Sequence, residues 1–502
     1  MEKFRNDIMK TIIEKYRRIW AVTHCISLMG WDSETYMPRE GIRERSVANA
    51  EMSTLYQELL LKEEFVSLVE RASGKDDLNP YEAGTIRVLK REITKMKKLP
   101  PELVYELEKT TSEAFQVWRV SREENKFDPF VPYLKKIIEL NREMANKLGY
   151  DDNPYDALLD LSEEGLRTRD IKSIFDNLSP ALKGILGRVD SEGYFSKRHE
   201  LDGIKYDESA MKRVNDRVLE LLHYPRNRAR IDVSPHPFTV GFGLNDVRIT
   251  TRYEGYDFKR SLFSTIHEFG HATYELQIDN ELDMTPIGTG ASLGIHEGQS
   301  RFWENVVGRS PPFAGLIKPL LDSELKITAN YGAEELYRYF ASVRPSLIRT
   351  EADEVTYNLH IALRFNLELK LINGELSVEE LPQAWAETSE SLLGVKPRNY
   401  ADGVLQDVHW SHGSFGYFPT YTLGNVVASM IARKIANDIG KVQDLISENG
   451  IVEIKNYLKS NLHSFGATYA PKDLLQRVFG YTYNPSDLVH YLEKKYIEKS
   501  AY

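Results

Sequence analysis

From Met1 to about Arg230, apolar residues recur three and four positions apart with charges between them, as in VPYLKKIIELNREMANKLG (131–149). That period predicts amphipathic helices almost throughout this half. Prolines punctuate it at Met37-Pro38, Leu99-Pro100-Pro101 and Asn153-Pro154, where helices are expected to end. The pattern changes between Ile231 and Tyr253. There IDVSPHPFTVGFGLNDVRITTRY is rich in Val, Ile, Thr, Phe and Gly, with Asn245-Asp246 as a turn candidate, and predicts two or three short strands. Asp257 is the expected N-cap of FKRSLFSTIHEFGHATYELQI, in which Leu262, Ile266, Phe269 and Thr273 keep helical spacing. A further helix is expected from about Ser292 to Val307, stopped by Gly308, and helices resume to the carboxyl end. No long-period repeat, low-complexity tract or Ser/Gly linker interrupts the text. The expected architecture is therefore mainly α, one unit with a helical half (about 1–230), a strand-rich segment (about 231–254) and a second helical half (about 255–502).

Composition narrows the function classes. A formal charge of −10 over 502 residues lacks the basic excess of a nucleic-acid or acidic-membrane binder. The amino terminus, MEKFRNDIMKTIIEKYRRIW, breaks its apolar residues with charges every few positions, unlike a signal peptide, and no window reaches the ~18 apolar residues of a membrane span. The single cysteine, Cys25, cannot close an intrachain disulfide, so a reducing, cytoplasmic compartment is expected.

The chemistry concentrates in His267-Glu268-Phe269-Gly270-His271, an H-E-x-x-H string inside a segment that independently reads as helix. Residues four apart stand one turn above each other, so both imidazoles can face one zinc ion about 2 Å from each nitrogen. Glu268 can then reach water on the same metal, where a general base for hydrolysis must be. A hydrolytic zinc needs a third protein ligand, and Glu297 in His296-Glu297-Gly298-Gln299-Ser300 is the candidate. Adjacency leaves His296 as its rival. Glu297 is favoured because Gln299 and Ser300 can hydrogen-bond nearby groups. The bland reading is a pair of surface histidines flanking a solvated Glu.

Several separate strings make the sequence resemble the thermostable-type metallocarboxypeptidases of peptidase family M32 over nearly its whole length. They are Trp31-Asp32-Ser33-Glu34-Thr35-Tyr36-Met37-Pro38, His236-Pro237-Phe238, Asp246-Val247-Arg248-Ile249-Thr250, the H-E-x-x-H and His296-Glu297-Gly298-Gln299. Two more are Ile348-Arg349-Thr350-Glu351-Ala352-Asp353 and Gly403-Val404-Leu405-Gln406-Asp407-Val408-His409-Trp410. Gly298, where many relatives carry Ser, reads as a tolerated variant. The resemblance implies a mostly helical, saddle-like homodimer of zincin type with a small sheet beside a long groove, zinc on the groove floor, and removal of single carboxyl-terminal residues with broad preference. In the wider H-E-x-x-H group with a Glu ligand, His and Tyr side chains polarise the scissile carbonyl.

The remaining candidates follow from what such a reaction requires. A terminal carboxylate calls for a fixed cation, for which Arg349 and Arg248 are candidates; the alternative for each is an internal salt bridge, with Asp353 or Asp246. Arg248 can instead limit how much peptide extends past the cut. The oxyanion calls for a donor, for which His409 and either Tyr417 or Tyr421 qualify, Tyr421 being slightly favoured. His236, extended before Pro237, either lines the groove wall or is a buried, backbone-satisfied histidine. Asp407 is a candidate to orient a histidine. Cobalt can substitute for zinc on the same ligands. The expected mechanism has Glu268 deprotonating the attacking water and protonating the leaving amine. Its rivals are an endo-acting oligopeptidase, a dipeptidyl carboxypeptidase, or a non-catalytic helical scaffold that has kept the motif.

Overall fold

A computed structural model of the chain describes residues 3–500. Nineteen α-helices and one three-stranded sheet are found among them. The proline punctuation is located correctly, with a refinement. Pro101 and Pro154 open helices (Pro101–Glu123 and Pro154–Ser162), because the first helical turn needs no N–H from them. The helix before Pro154 has already stopped at Leu148, with Gly149 at φ 87°.

The strand-rich segment forms β1 (Ala229–Val233), β2 (Thr239–Gly241) and β3 (Val247–Thr251), in the order β1-β3-β2. β1 runs parallel to β3, pairing Ile231 with Ile249, and β2 runs antiparallel to β3, pairing Thr239 with Ile249. β2 is thus an edge strand. β3 is buried against the H-E-x-x-H helix (Lys259–Gln277), where Thr251 and Thr265 share a 3.0 Å hydroxyl bond.

Asp257 is not the cap of that helix. Its backbone is left-handed, with φ 51°, and its carboxylate accepts from Tyr339 and pairs with Arg260, so Phe258 takes the cap position with no side-chain bond. Ser292 does cap the next helix (Leu293–Arg301), accepting from Ile295 N at 3.2 Å. That helix widens into a π-helical stretch, Phe302–Gly308.

One large apolar core runs from Ala114 to Tyr496 and encloses both helices. A smaller core around Met9, Phe65, Leu89 and Ile93 serves the amino-terminal helices. The hairpin they begin with is thinly covered: the helix Ile42–Leu60 buries Leu60 alone, and Tyr36, Ile42 and Val47 are more than half exposed.

Candidate metal centre

Helices cross closely only where one of them lacks a side chain. At Gly270, the fourth residue of the motif, a Cβ would lie 2.5 Å from Ser300 Cα and 2.6 Å from Gln299 O. The Lys259–Gln277 and Leu293–Arg301 helices therefore touch backbone to backbone. A second pair of glycines brings in the helix Pro419–Asp438: Gly298 faces Val427 and Gly424 faces Glu297. Gly298 is thus a packing requirement in this chain, since a Cβ there would stand 2.5 Å from Val427 Cγ1.

This crossing gathers the expected ligands. His267 Nε2 lies 3.5 Å and His271 Nε2 3.3 Å from the same oxygen, Glu297 Oε2. The three ligand atoms fall within 4.8 Å of one another, the one such group of His, Cys, Asp or Glu among the described residues. A tetrahedral zinc with arms of 2.0–2.1 Å spaces its ligands by about 3.4 Å, so the donor set fits the ion in type and in separation.

Each histidine is held from behind through Nδ1. His267 Nδ1 donates to Glu304 Oε2 at 2.9 Å, while His271 Nδ1 lies 2.6 Å from His296 Nδ1, whose Nε2 reaches Glu275 Oε1 at 2.8 Å. His296, the rival ligand, is therefore a support for His271 and stands outside the ligand set. Arg301 Nε donates to Glu297 Oε1 at 2.7 Å, and its guanidinium lies over the Tyr357 ring. Burial alone would raise the Glu297 carboxyl, but Arg301 and His267 hold it well below the usual range. Ser300 Oγ also donates to Glu297, at 2.7 Å to its carbonyl and 3.1 Å to Oε2. Gln299 instead bonds His463.

Glu268 is buried, and burial pushes its carboxyl up, with His267 and Thr239 opposing. Thr239 on the edge strand donates to Glu268 Oε2 at 2.6 Å and fixes its direction.

His409, Tyr417 and Tyr421 form one cluster. His409 Nε2 is 3.3 Å from Tyr421 Oη, and Tyr417 hydrogen-bonds Tyr421. Both tyrosines feel the Glu297 carboxylate, because Tyr421 lies one turn before Gly424 on the helix that touches Glu297. Burial above all, then Arg349, pulls His409 down to about 3, so its imidazole is neutral.

The arginines part company. Arg349 is 6 % exposed and binds Asp407 Oδ1 at 2.9 Å, not Asp353, whose oxygens cap the turn at Val355 and Thr356. Asp407 does not orient a histidine either; its second oxygen accepts from Arg364 Nε at 2.7 Å. Two guanidiniums thus share one carboxylate, with Arg349 lying 5.1 Å from the centre of the Tyr421 ring. Arg248 makes a matched, two-bond pair with Asp246 at 2.9 and 2.8 Å and lies over Trp31 and Phe242. His236 is exposed in the turn between β1 and β2, which removes the buried-histidine alternative.

Sequence reasoning missed Glu304, Glu275, Arg301, Thr239 and Arg364. Three carried a helical signal: Arg301 and Glu304 stand four and seven residues after Glu297, and Glu275 four after His271, all on ligand-bearing faces. Thr239 carried none, because its contact depends on the sheet docking.

A helical hydrolase with a His-His-Glu centre beside a carboxylate is what this fold and site define. The profile of the Carboxypeptidase Taq (M32) metallopeptidase family matches residues 11–496. The chain is 49% identical over 497 residues to thermostable carboxypeptidase 1 of Pyrococcus furiosus, covering 99% of this chain and all of that one. To thermostable carboxypeptidase 1 of Thermus thermophilus it is 37% identical, covering 94% of each. A solved structure of Pyrococcus furiosus carboxypeptidase, described as apo-Mg, superposes with a TM-score of 0.97 at 49% identity, covering 99% of this chain and 100% of that one. The chain belongs to the M32 family of metallopeptidases, and it is a peptide hydrolase of the metallocarboxypeptidase class.

Proposed function

We propose that the protein is a zinc carboxypeptidase that removes single residues from peptide carboxyl ends with broad side-chain preference, Glu268 serving as the proton carrier. The convergence of His267 Nε2, His271 Nε2 and Glu297 Oε2 beside the buried Glu268 carries this reading. Zinc at this donor set supplies Lewis-acid polarisation of the scissile carbonyl and makes water acidic enough to attack at neutral pH. Cobalt would serve the same donors. Glu268, aimed by Thr239, takes the proton from the attacking water and passes it to the leaving amine. With His409 Nε2–H donating to Tyr421 Oη, the phenol hydrogen that bonds Tyr417 can turn to the substrate oxyanion, an interaction worth roughly 3 to 4 kcal/mol in comparable sites. Tyr417 supports Tyr421 in that role.

Charge balance favours Arg349 as the anchor of the substrate carboxylate. Arg349 shares its Asp407 carboxylate with Arg364, which also feels Glu368, so a substrate carboxylate would complete the pairing of Arg349, whereas Arg248 is already matched by Asp246. Arg248 and exposed His236 are left to border the peptide beyond the cut.

Mass spectrometry of a peptide digest over time tests the reading: ladders of single residues from the carboxyl end are expected, and dipeptide steps or internal fragments would refute it. A homodimer in a cytoplasmic setting belongs to the same proposal. The exposed Tyr36, Ile42 and Val47 of the amino-terminal hairpin offer apolar surface for a second copy, and light scattering of the eluted protein reads the mass. Among the described residues no helix is long and apolar enough to cross a membrane.

A further inference from the structure

The helix Tyr357–Asn373 carries a carboxylate that the chemistry above leaves unused. Glu368 is fully enclosed, and its oxygens meet three donors. Tyr155 Oη donates to Oε2 at 2.6 Å, Trp410 Nε1 to Oε1 at 2.7 Å, and Gly416 N to Oε2 at 3.1 Å. Trp410 directly follows His409, and Gly416 directly precedes Tyr417, three residues before the Tyr421 helix begins at Pro419. One carboxylate therefore ties down both ends of the segment that presents these side chains. Gly416 also has φ 77°, and a Cβ there would lie 2.6 Å from Leu158 C, so the segment is pressed onto the helix that supplies Tyr155. An ionised carboxylate accepts from all three donors at once. A Gln would turn its own N–H group against one of them and leave a buried donor unpaired. Burial pushes the Glu368 carboxyl up to about 7 against the pull of those three donors, so holding it ionised costs stability at neutral pH.

We propose that Glu368 is a positioning residue for the peptidase reaction, fixing the segment 409–417 so that His409 and Tyr421 face the scissile carbonyl. This rests on the reading of His409 and Tyr421 as oxyanion donors. Misplacing such donors by about 1 Å costs on the order of 100-fold in rate. Steady-state kinetics with metal content measured in parallel tests the proposal. Glu368→Gln is expected to lower kcat roughly 10- to 100-fold with KM and bound metal within about twofold of wild type. Because it acts through Tyr421, the double variant Glu368→Gln/Tyr421→Phe should lose little more than the larger single loss. Multiplying losses, or a wild-type kcat in Glu368→Gln, would overturn the proposal. Trp410→Phe removes one donor and leaves Glu368 in place. It should show a smaller kcat loss with the same coupling, and it decides the matter if Glu368→Gln does not fold. If Tyr421→Phe and His409→Ala keep wild-type kcat, the oxyanion reading itself fails; if they lose it and Glu368→Gln does not, only the Glu368 proposal fails.

Discussion

Gly424 lies directly against Glu297, the carboxylate proposed as the third metal ligand: a Cβ on it would stand 2.3 Å from Glu297 Cγ and 2.7 Å from Glu297 Cβ. Neither atom is the free end of a flexible chain, since the Glu297 carboxylate is held by Arg301 and Ser300. Gly424→Ala must therefore push the two helices apart. We predict a destabilisation of about 1 to 3 kcal/mol and weaker metal binding, read by urea unfolding and by competition with a chelator. Unchanged metal affinity would show that the contact does not set the ligand position.

Glu268→Gln keeps the volume and the Thr239 contact but cannot carry a proton. The expected result is a loss of roughly 100- to 10,000-fold in kcat, with full metal occupancy measured by elemental analysis. A variant that still cuts at the wild-type rate would end the assignment of Glu268.

His296 bonds His271 Nδ1 at 2.6 Å and passes the contact on to Glu275. Replacing it by Phe keeps a ring beside Tyr274 and removes both bonds. Metal affinity should fall about 10- to 100-fold while the unfolding of the metal-free protein changes little. Complete loss of binding would instead make His296 a ligand.

Stability should fall as pH drops from about 6.5. His360, His409 and His463 are each pulled down to about 3, chiefly by burial, from an unfolded value near 6.5. Between those values the unfolded chain binds more protons. Each histidine therefore stabilises the fold above 6.5, and that stability is lost toward 3 with a slope of up to ~1.4 kcal/mol per pH unit. Glu268 and Glu368, whose carboxyls burial pushes up, act in the opposite sense, so one variant must isolate the histidine effect. His463→Gln should flatten the dependence of unfolding free energy on pH between 5.5 and 7 in chelator-treated protein. An unchanged slope would contradict the assignment.

The ligand motif, the helices on which it rides and the short strands before it were legible because each obeys a local rule: spacing of four, helical periodicity, β-branched runs. Errors came where the answer depended on distant partners. Asp257 reads as a cap locally, yet Tyr339 and Arg260 claim its carboxylate. Asp407 reads as a candidate to orient a histidine, yet Arg364 and Arg349 hold it, because two buried guanidiniums outcompete an imidazole for a buried carboxylate.

The sequence by itself determined the donor types, their order and the class of reaction, because metal chemistry is set by side-chain identity and by the one-turn spacing of His267 and His271. Only the tertiary structure decided that Glu297 and not His296 faces both histidines, that Arg349 shares its carboxylate while Arg248 is matched, and that Glu368 bonds both ends of the His409 segment. Those outcomes depend on which helix faces approach within hydrogen-bond reach, and here the approach is fixed by glycines at crossings far apart in the chain.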